Sequence, residues 1–100
     1  MSQPRLSVIV NTFNRRDTLL RCLDALARQT LHPSLFEIVV VDDGSTDDTL
    51  EAVRQWRQAH PGLTLRELAV THGGYSASRN AGLRIAAAPL VLFIGDDVLL

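Results

Sequence analysis

The sequence predicts an α/β protein built on a doubly wound, mainly parallel sheet with helices on both faces. Three observations predict it. Phe36, Ile38, Val39, Val40 and Val41 form a short apolar run rich in β-branched residues, the pattern of a strand buried on both faces of a parallel sheet. It ends in Asp42-Asp43, turns at Gly44 and reaches Ser45, which with Asp48 three residues on reads as a capping box at a helix start. The sequence of apolar strand, turn and helix recurs along the chain as βαβαβαβ, for which right-handed crossovers onto a parallel sheet are the economical solution.

Each element has its own signature. Leu6 to Val10 reads as a first strand running into a polar turn, Asn11 to Asn14. Asn14 can cap a helix with Asp17 three residues later, and Leu19, Leu20, Leu23, Leu26 and Ala27 recur at helical spacing until the pattern fades between Gln29 and Pro33. The second strand and its acidic turn lead to a helix from about Thr46 to His60, with Leu50, Val53 and Trp56 on its apolar face and Pro61-Gly62 as its stop. Leu63 to Val70 alternates apolar and polar residues, as an exposed edge strand does. A Gly-rich loop, Thr71 to Tyr75, precedes a third helix over Ser76 to Ala87 with Ala77, Ala81 and Ile85 on one side. Pro89 breaks that helix and opens a last strand, PLVLFIG, which ends in Asp96-Asp97. With strand order 3-2-1-4 the topological switch lies between the first and last strands. Thr12, Asp42-Asp43 and Asp96-Asp97 then share the rim on which ligands of open α/β sheets bind.

Composition bounds the function. At 100 residues the chain makes about one small domain, and 46% hydrophobic residues allow a core. The net charge of −1 gives no general attraction to nucleic acid or to anionic membrane surfaces. All ten basic residues are Arg, which excludes lysine-dependent mechanisms and a P-loop ending in Gly-Lys. Cys22 is the single cysteine, so no internal disulfide can form; this suits a reducing compartment, and a cytoplasmic location is the expectation. No apolar run approaches the ~18 residues of a membrane span, and the N-terminus lacks the apolar core of a signal peptide. The last residues follow an apolar strand without a polar tail, as expected of one part of a longer protein.

The rim carries the chemistry. Paired carboxylates at Asp96-Asp97 with no His or Cys beside them suit a hard cation such as Mg²⁺ or Mn²⁺, usually completed by substrate phosphates. An isolated Asp-Asp is more often an ordinary polar turn, but two acidic pairs at two strand ends of one sheet favour a site. Gly73-Gly74 and the helix after them can present N–H groups to an anion, with Arg79 and Asn80 one turn further on. His32, His60 and His72 lack metal-ligand spacing and read as loop or helix-end residues, while Cys22 and Trp56 read as core.

Four motifs, in order, resemble the inverting, family-2-type nucleotide-sugar glycosyltransferases with a GT-A fold: SVIVNTFNR, VVVDDGSTDDT, GGYSASRNAGL and LFIGDDV. The resemblance runs from Leu6 to Leu100 and implies a Rossmann-like three-layer α/β/α domain that binds a nucleotide-diphospho-sugar, with a UDP-sugar as the family default. It implies that Thr12, Asn14 and the adjoining turn line the nucleotide pocket and that an Asp of Asp42-Asp43 hydrogen-bonds the base. It further implies that Arg79 and Asn80 lie near base and diphosphate, that Asp97 binds a divalent metal, and that Asp96 approaches the ribose or shares the ion. Two departures from the family stand out: Asn11 replaces a usual Pro, and Gly95 stands where the family often has Asp. The glycan, lipid or protein acceptor is unspecified, and the catalytic base is expected beyond Leu100. Two other readings compete, a receiver-like signalling module and a structural α/β fragment that binds nothing. The receiver is disfavoured because Lys is missing and no Asp closes the third strand. The apolar last strand, if it forms a sheet edge, predicts a homodimer.

Overall fold

The computed structural model describes residues 3–29 and 31–96. Its elements are β1 (Leu6–Thr12), α1 (Arg16–Ala27), β2 (Phe36–Asp42), α2 (Thr49–Ala59), β3 (Thr64–Ala69), α3 (Tyr75–Ile85) and β4 (Leu90–Gly95), with one turn of 3-10 helix at Pro33–Leu35 before β2. The four strands are parallel in the order β3-β2-β1-β4, as expected from the alternation of elements. Central β2 is buried along its whole length, which explains the apolar run Ile38 to Val41.

The pleat divides the core into two layers. Val8, Val10, Ile38, Val40 and Leu65 point to one face and pack against Leu19, Cys22, Leu23 and Leu26 of α1 and Val53 and Trp56 of α2. Ile9, Val39 and Val41 point to the other face and meet Ala81 and Ile85 of α3. Each fully buried aliphatic side chain contributes about 1.5–3 kcal/mol. Trp56 joins the core through its ring and keeps its polar end satisfied, its Nε1–H donating to Asp24 Oδ1 at 2.8 Å. α3 lies close to the sheet at Gly82, where an added Cβ would stand 2.7 Å from Cγ2 of Ile9 and 2.9 Å from Cγ2 of Val41.

The helix starts differ from the sequence expectation. Asn14 does not cap α1. It adopts φ 52° and turns its amide towards the next loop, where Oδ1 accepts from the N–H groups of Thr46 at 2.8 Å and Asp47 at 3.3 Å. The Ser45–Asp48 capping box does not form either, because the Ser45 hydroxyl accepts from the Asn14 N–H at 2.8 Å. The long-range partner wins over the local one, and α2 begins at Thr49 with Asp47 accepting from the Thr49 N–H. These contacts bind the loop after β1 to the loop after β2. Asn11 and Thr12, expected in a turn, continue β1.

The rim at the strands' N-terminal ends is held by a buried carboxylate, Glu37, paired with the part-exposed guanidinium of Arg66. Glu37 is 2% exposed and accepts from Ser7 Oγ at 2.5 Å, from the Ala87 N–H at 2.6 Å and from Arg66 Nη2 at 2.8 Å. Arg66 also donates to the Ile85 carbonyl, so the cluster ties the end of α3 to three strands. Burial alone would raise the Glu37 carboxyl, but the Ser7 hydroxyl, the Ala87 N–H and the Arg66 guanidinium together hold it below its ordinary value.

Candidate functional site

At the opposite rim, the C-terminal ends of β1, β2 and β4 surround a cleft of about 380 Å³. It lies at the topological switch, where β1 is flanked by β2 and β4. Thr12, Asp43 and Asp96, all expected at the site, line it together. All three are buried, at 4%, 6% and 6% exposure, and each is held by a partner.

Asp43 follows the last residue of β2. Its Oδ1 accepts from the Gly73 N–H at 3.1 Å, and its Oδ2 lies 3.0 Å from His72 Nδ1. The same nitrogen lies 3.0 Å from the Asp43 carbonyl oxygen. Both neighbours of Nδ1 are acceptors, so Nδ1 carries the proton. Gly44 lets the loops meet: at φ 78° its Cα lies so close to His72 that a Cβ would come within 2.8 Å of the His72 nitrogen. The His72 ring lies 4.5 Å from the Phe13 ring, tilted by 31°, and Phe13 is 40% exposed. The pair forms an aromatic wall on the cleft. Asp42 does not line it; its Oδ1 accepts from the Ser45 N–H at 3.1 Å and shapes the turn.

Asp96 follows β4. Thr12 Oγ1 donates to Asp96 Oδ2 at 3.0 Å, and Arg15 Nη1 reaches Asp96 Oδ1 at 3.3 Å. Arg15 is half exposed and lines the cleft. Asp97 lies outside the described residues. Among the described residues no group of three or more His, Cys, Asp or Glu could hold a metal ion. The available donors are oxygens, which fits a hard cation, but a cation at Asp96 must take the place of Arg15 and draw most of its shell from ligand oxygens.

The remaining expected residues stand apart from the cleft. Asn14 lines a neighbouring groove with Arg16 and Asp48. Arg79 and Asn80 are exposed on α3, and the Arg79 guanidinium carbon lies 4.3 Å over the Phe93 ring. Ser78, 1% exposed, lines the cleft beside them. The turn expected to line the pocket supplies Asn11, Thr12 and Phe13, whereas Arg15 and His72 were not expected at the site. An exposed aromatic in a polar turn was a signal for Phe13, and the place of His72 before Gly73-Gly74 on the same rim was one for His72. The Asn11 amide is shielded from water, and neither Nδ2 nor Oδ1 has a hydrogen-bond partner among the described residues. A buried unpaired donor or acceptor costs about 1–3 kcal/mol.

The parallel 3-2-1-4 sheet with its cleft at the switch defines the class, a Rossmann-like α/β protein of the GT-A type. The chain belongs to glycosyl transferase family 2, whose model matches residues 7–100. It is similar to validoxylamine A glucosyltransferase of Streptomyces hygroscopicus subsp. limoneus, with 44% identity over 96% of this chain and 21% of that protein. Among solved structures it resembles the mannosyltransferase PcManGT of Pyrobaculum calidifontis, in complex with GDP-Man and Mn²⁺, at TM-score 0.92 and 35% identity over 98% of this chain and 29% of that one. It also resembles Staphylococcus aureus TarS 1-349 in complex with UDP-GlcNAc, at TM-score 0.84 and 39% identity over 93% of this chain and 26% of that one. The chain thus spans less than a third of each of these relatives.

Proposed function

We propose that this chain binds the donor of a glycosyltransferase, a nucleotide-diphospho-sugar whose sugar passes to an acceptor hydroxyl. The observation that carries the reading is the meeting of Thr12, Asp43 and Asp96 in one cleft at the switch point of the sheet. The base lies against the Phe13–His72 wall, with Asp43 accepting a base N–H. The diphosphate lies towards Arg15, whose guanidinium offers paired donors to phosphate oxygens. Asp96, with Asp97, is the candidate holder of Mg²⁺ or Mn²⁺. A divalent cation, when bound, neutralises charge that grows on the diphosphate as the anomeric bond breaks. No residue of this chain is assigned as the base that deprotonates the acceptor. Family membership and relatives solved with UDP-GlcNAc and GDP-Man support a nucleotide-sugar donor, with a UDP-sugar the default.

Calorimetric titration with UDP and with GDP, each with and without Mn²⁺, tests this. Saturable binding of at least one nucleotide, strengthened by the ion, is expected. No binding of either nucleotide in the presence of Mn²⁺ would overturn the donor reading.

The partner surface follows from β4. Among the described residues β4 is a sheet edge, and it carries no charge; Leu90 is 65% and Leu92 48% exposed. The other edge, β3, is protected by Arg66 and Glu67. We infer that β4 pairs with β4 of a second copy. Sedimentation over a concentration series should show a dimer that Leu92→Asp abolishes, and a monomer at all concentrations would refute the pairing. Among the described residues no helix is long and apolar enough to cross a membrane.

A further inference from the structure

Arg15 stands at the N-cap of α1, where the helix end is itself positive and a cation is disfavoured. Its side chain turns to the cleft, and Nη1 reaches Asp96 Oδ1 at 3.3 Å. Its neighbour Arg16 is neutralised elsewhere, by Asp17 at 3.0 Å and Asp48 at 2.7 Å. Those two acids are open to water, with side chains 75% and 61% exposed, whereas that of Asp96 is 8% exposed. The charge that Arg15 meets is therefore shielded by protein. Thr12 Oγ1 donates to Asp96 Oδ2 at 3.0 Å and fixes the carboxylate. The opposite oxygen, Oδ1, is the one that Arg15 holds. A divalent ion about 2.1 Å from Oδ1 would lie within about 5.5 Å of Arg15 Nη1. Two cations so close in a shielded site repel one another, so ion and guanidinium exclude each other there. Arg15 is free to leave, because its side chain is 56% exposed and packs on one side only of the cleft mouth.

We propose that Arg15 latches Asp96 against a divalent cation until a diphosphate arrives, and so couples nucleotide binding to metal binding. In the ligand-free chain the guanidinium occupies the carboxylate. Diphosphate oxygens offer it a charged partner with room for two parallel N–H donations. Once Arg15 turns to them, Asp96 keeps its charge with Thr12 as its donor, and Oδ1 is open to the ion. Nucleotide then raises cation affinity through Arg15, in addition to the oxygen ligands that the diphosphate itself contributes. By linkage the cation raises nucleotide affinity by the same factor. The diphosphate half of the proposal rests on the donor-binding reading above; the competition between Arg15 and a cation rests on Asp96 alone.

Titration with Mn²⁺ alone, read by the loss of the free-ion electron paramagnetic resonance signal, tests the competition without nucleotide. Arg15→Gln should bind Mn²⁺ about threefold or more tightly than the wild type, the range of one part-exposed ion pair. Arg15→Lys, which keeps the charge, should stay near wild type. Arg28→Gln removes the same charge at the far end of α1 and should leave Mn²⁺ affinity unchanged. Calorimetry without metal should show UDP and inorganic pyrophosphate both about tenfold weaker in Arg15→Gln. The factor by which UDP tightens Mn²⁺ should be smaller in Arg15→Gln than in the wild type. No gain in Mn²⁺ affinity in Arg15→Gln, or an equal gain in Arg28→Gln, would overturn the latch. An undiminished coupling factor would overturn its link to the diphosphate. A wild-type chain that binds neither UDP nor GDP in Mn²⁺ overturns the donor reading, while a gain in Mn²⁺ affinity in Arg15→Gln would still establish the competition at Asp96.

Discussion

Asp43→Ala is expected to weaken UDP binding about 100-fold, or about 2.7 kcal/mol, while the fold persists. The carboxylate is positioned before any ligand arrives, by the Gly73 N–H on one oxygen and His72 on the other. A base N–H donating to a charged, preorganised acceptor is worth about 1.5–3 kcal/mol. Removing Asp43 also releases His72 from its side-chain partner and loosens the aromatic wall with Phe13. Asp42→Ala is the control. Its carboxylate holds the Ser45 N–H rather than the cleft, so it should cost about 1 kcal/mol of stability and leave UDP affinity within about threefold. Calorimetry with matched melting curves distinguishes the two. Equal losses of affinity would contradict the assignment of Asp43 as the residue facing the base.

The largest effect on stability is expected at Glu37. Glu37→Ala leaves the Ser7 hydroxyl and the Ala87 N–H without their acceptor while the 41% exposed Arg66 guanidinium turns to water, so a cost of about 2 kcal/mol or more is expected from the two unpaired groups. For a domain of this size each kcal/mol lowers the melting temperature by about 4–8 °C, so a loss of about 8 °C or more should appear by circular dichroism. The pH dependence has a definite sign. The folded carboxyl sits below its ordinary value of 4.5, so its contribution is complete above that pH and is lost as pH falls through the folded value. Glu37→Gln, which has no charge to lose, should flatten the acid limb of the melting-temperature profile below about pH 4.5. An unchanged acid limb would show that other groups dominate acid unfolding.

The fold was legible because its signals are local and repeated. The β-branched run of β2, the helical spacing of α1 and the stops at Pro61-Gly62 and Pro89 each state an element, and the alternation of elements leaves few topologies. The helix starts were misread for a physical reason. Asn14 and Ser45 each had a good local partner, but the loops after β1 and β2 come together in the fold and their side chains satisfy one another across 31 residues instead. The site was legible in outline, through acidic pairs at strand ends, and not in detail. Asp42 and Asp43 are indistinguishable in sequence; the turn at Gly44 sends one carboxylate to Ser45 and the other to Gly73 and His72.

The sequence by itself determined a parallel α/β sheet whose strands end in carboxylates, because hydrophobic period and turn chemistry are written in neighbouring residues. Only the tertiary structure decided which side chains share the cleft. Phe13 meets His72, Arg15 meets Asp96, and Asn11 meets Gly95 across separations of 59 to 84 residues. Such meetings depend on strand register and on crossovers that carry distant loops to one rim, and no local pattern encodes them.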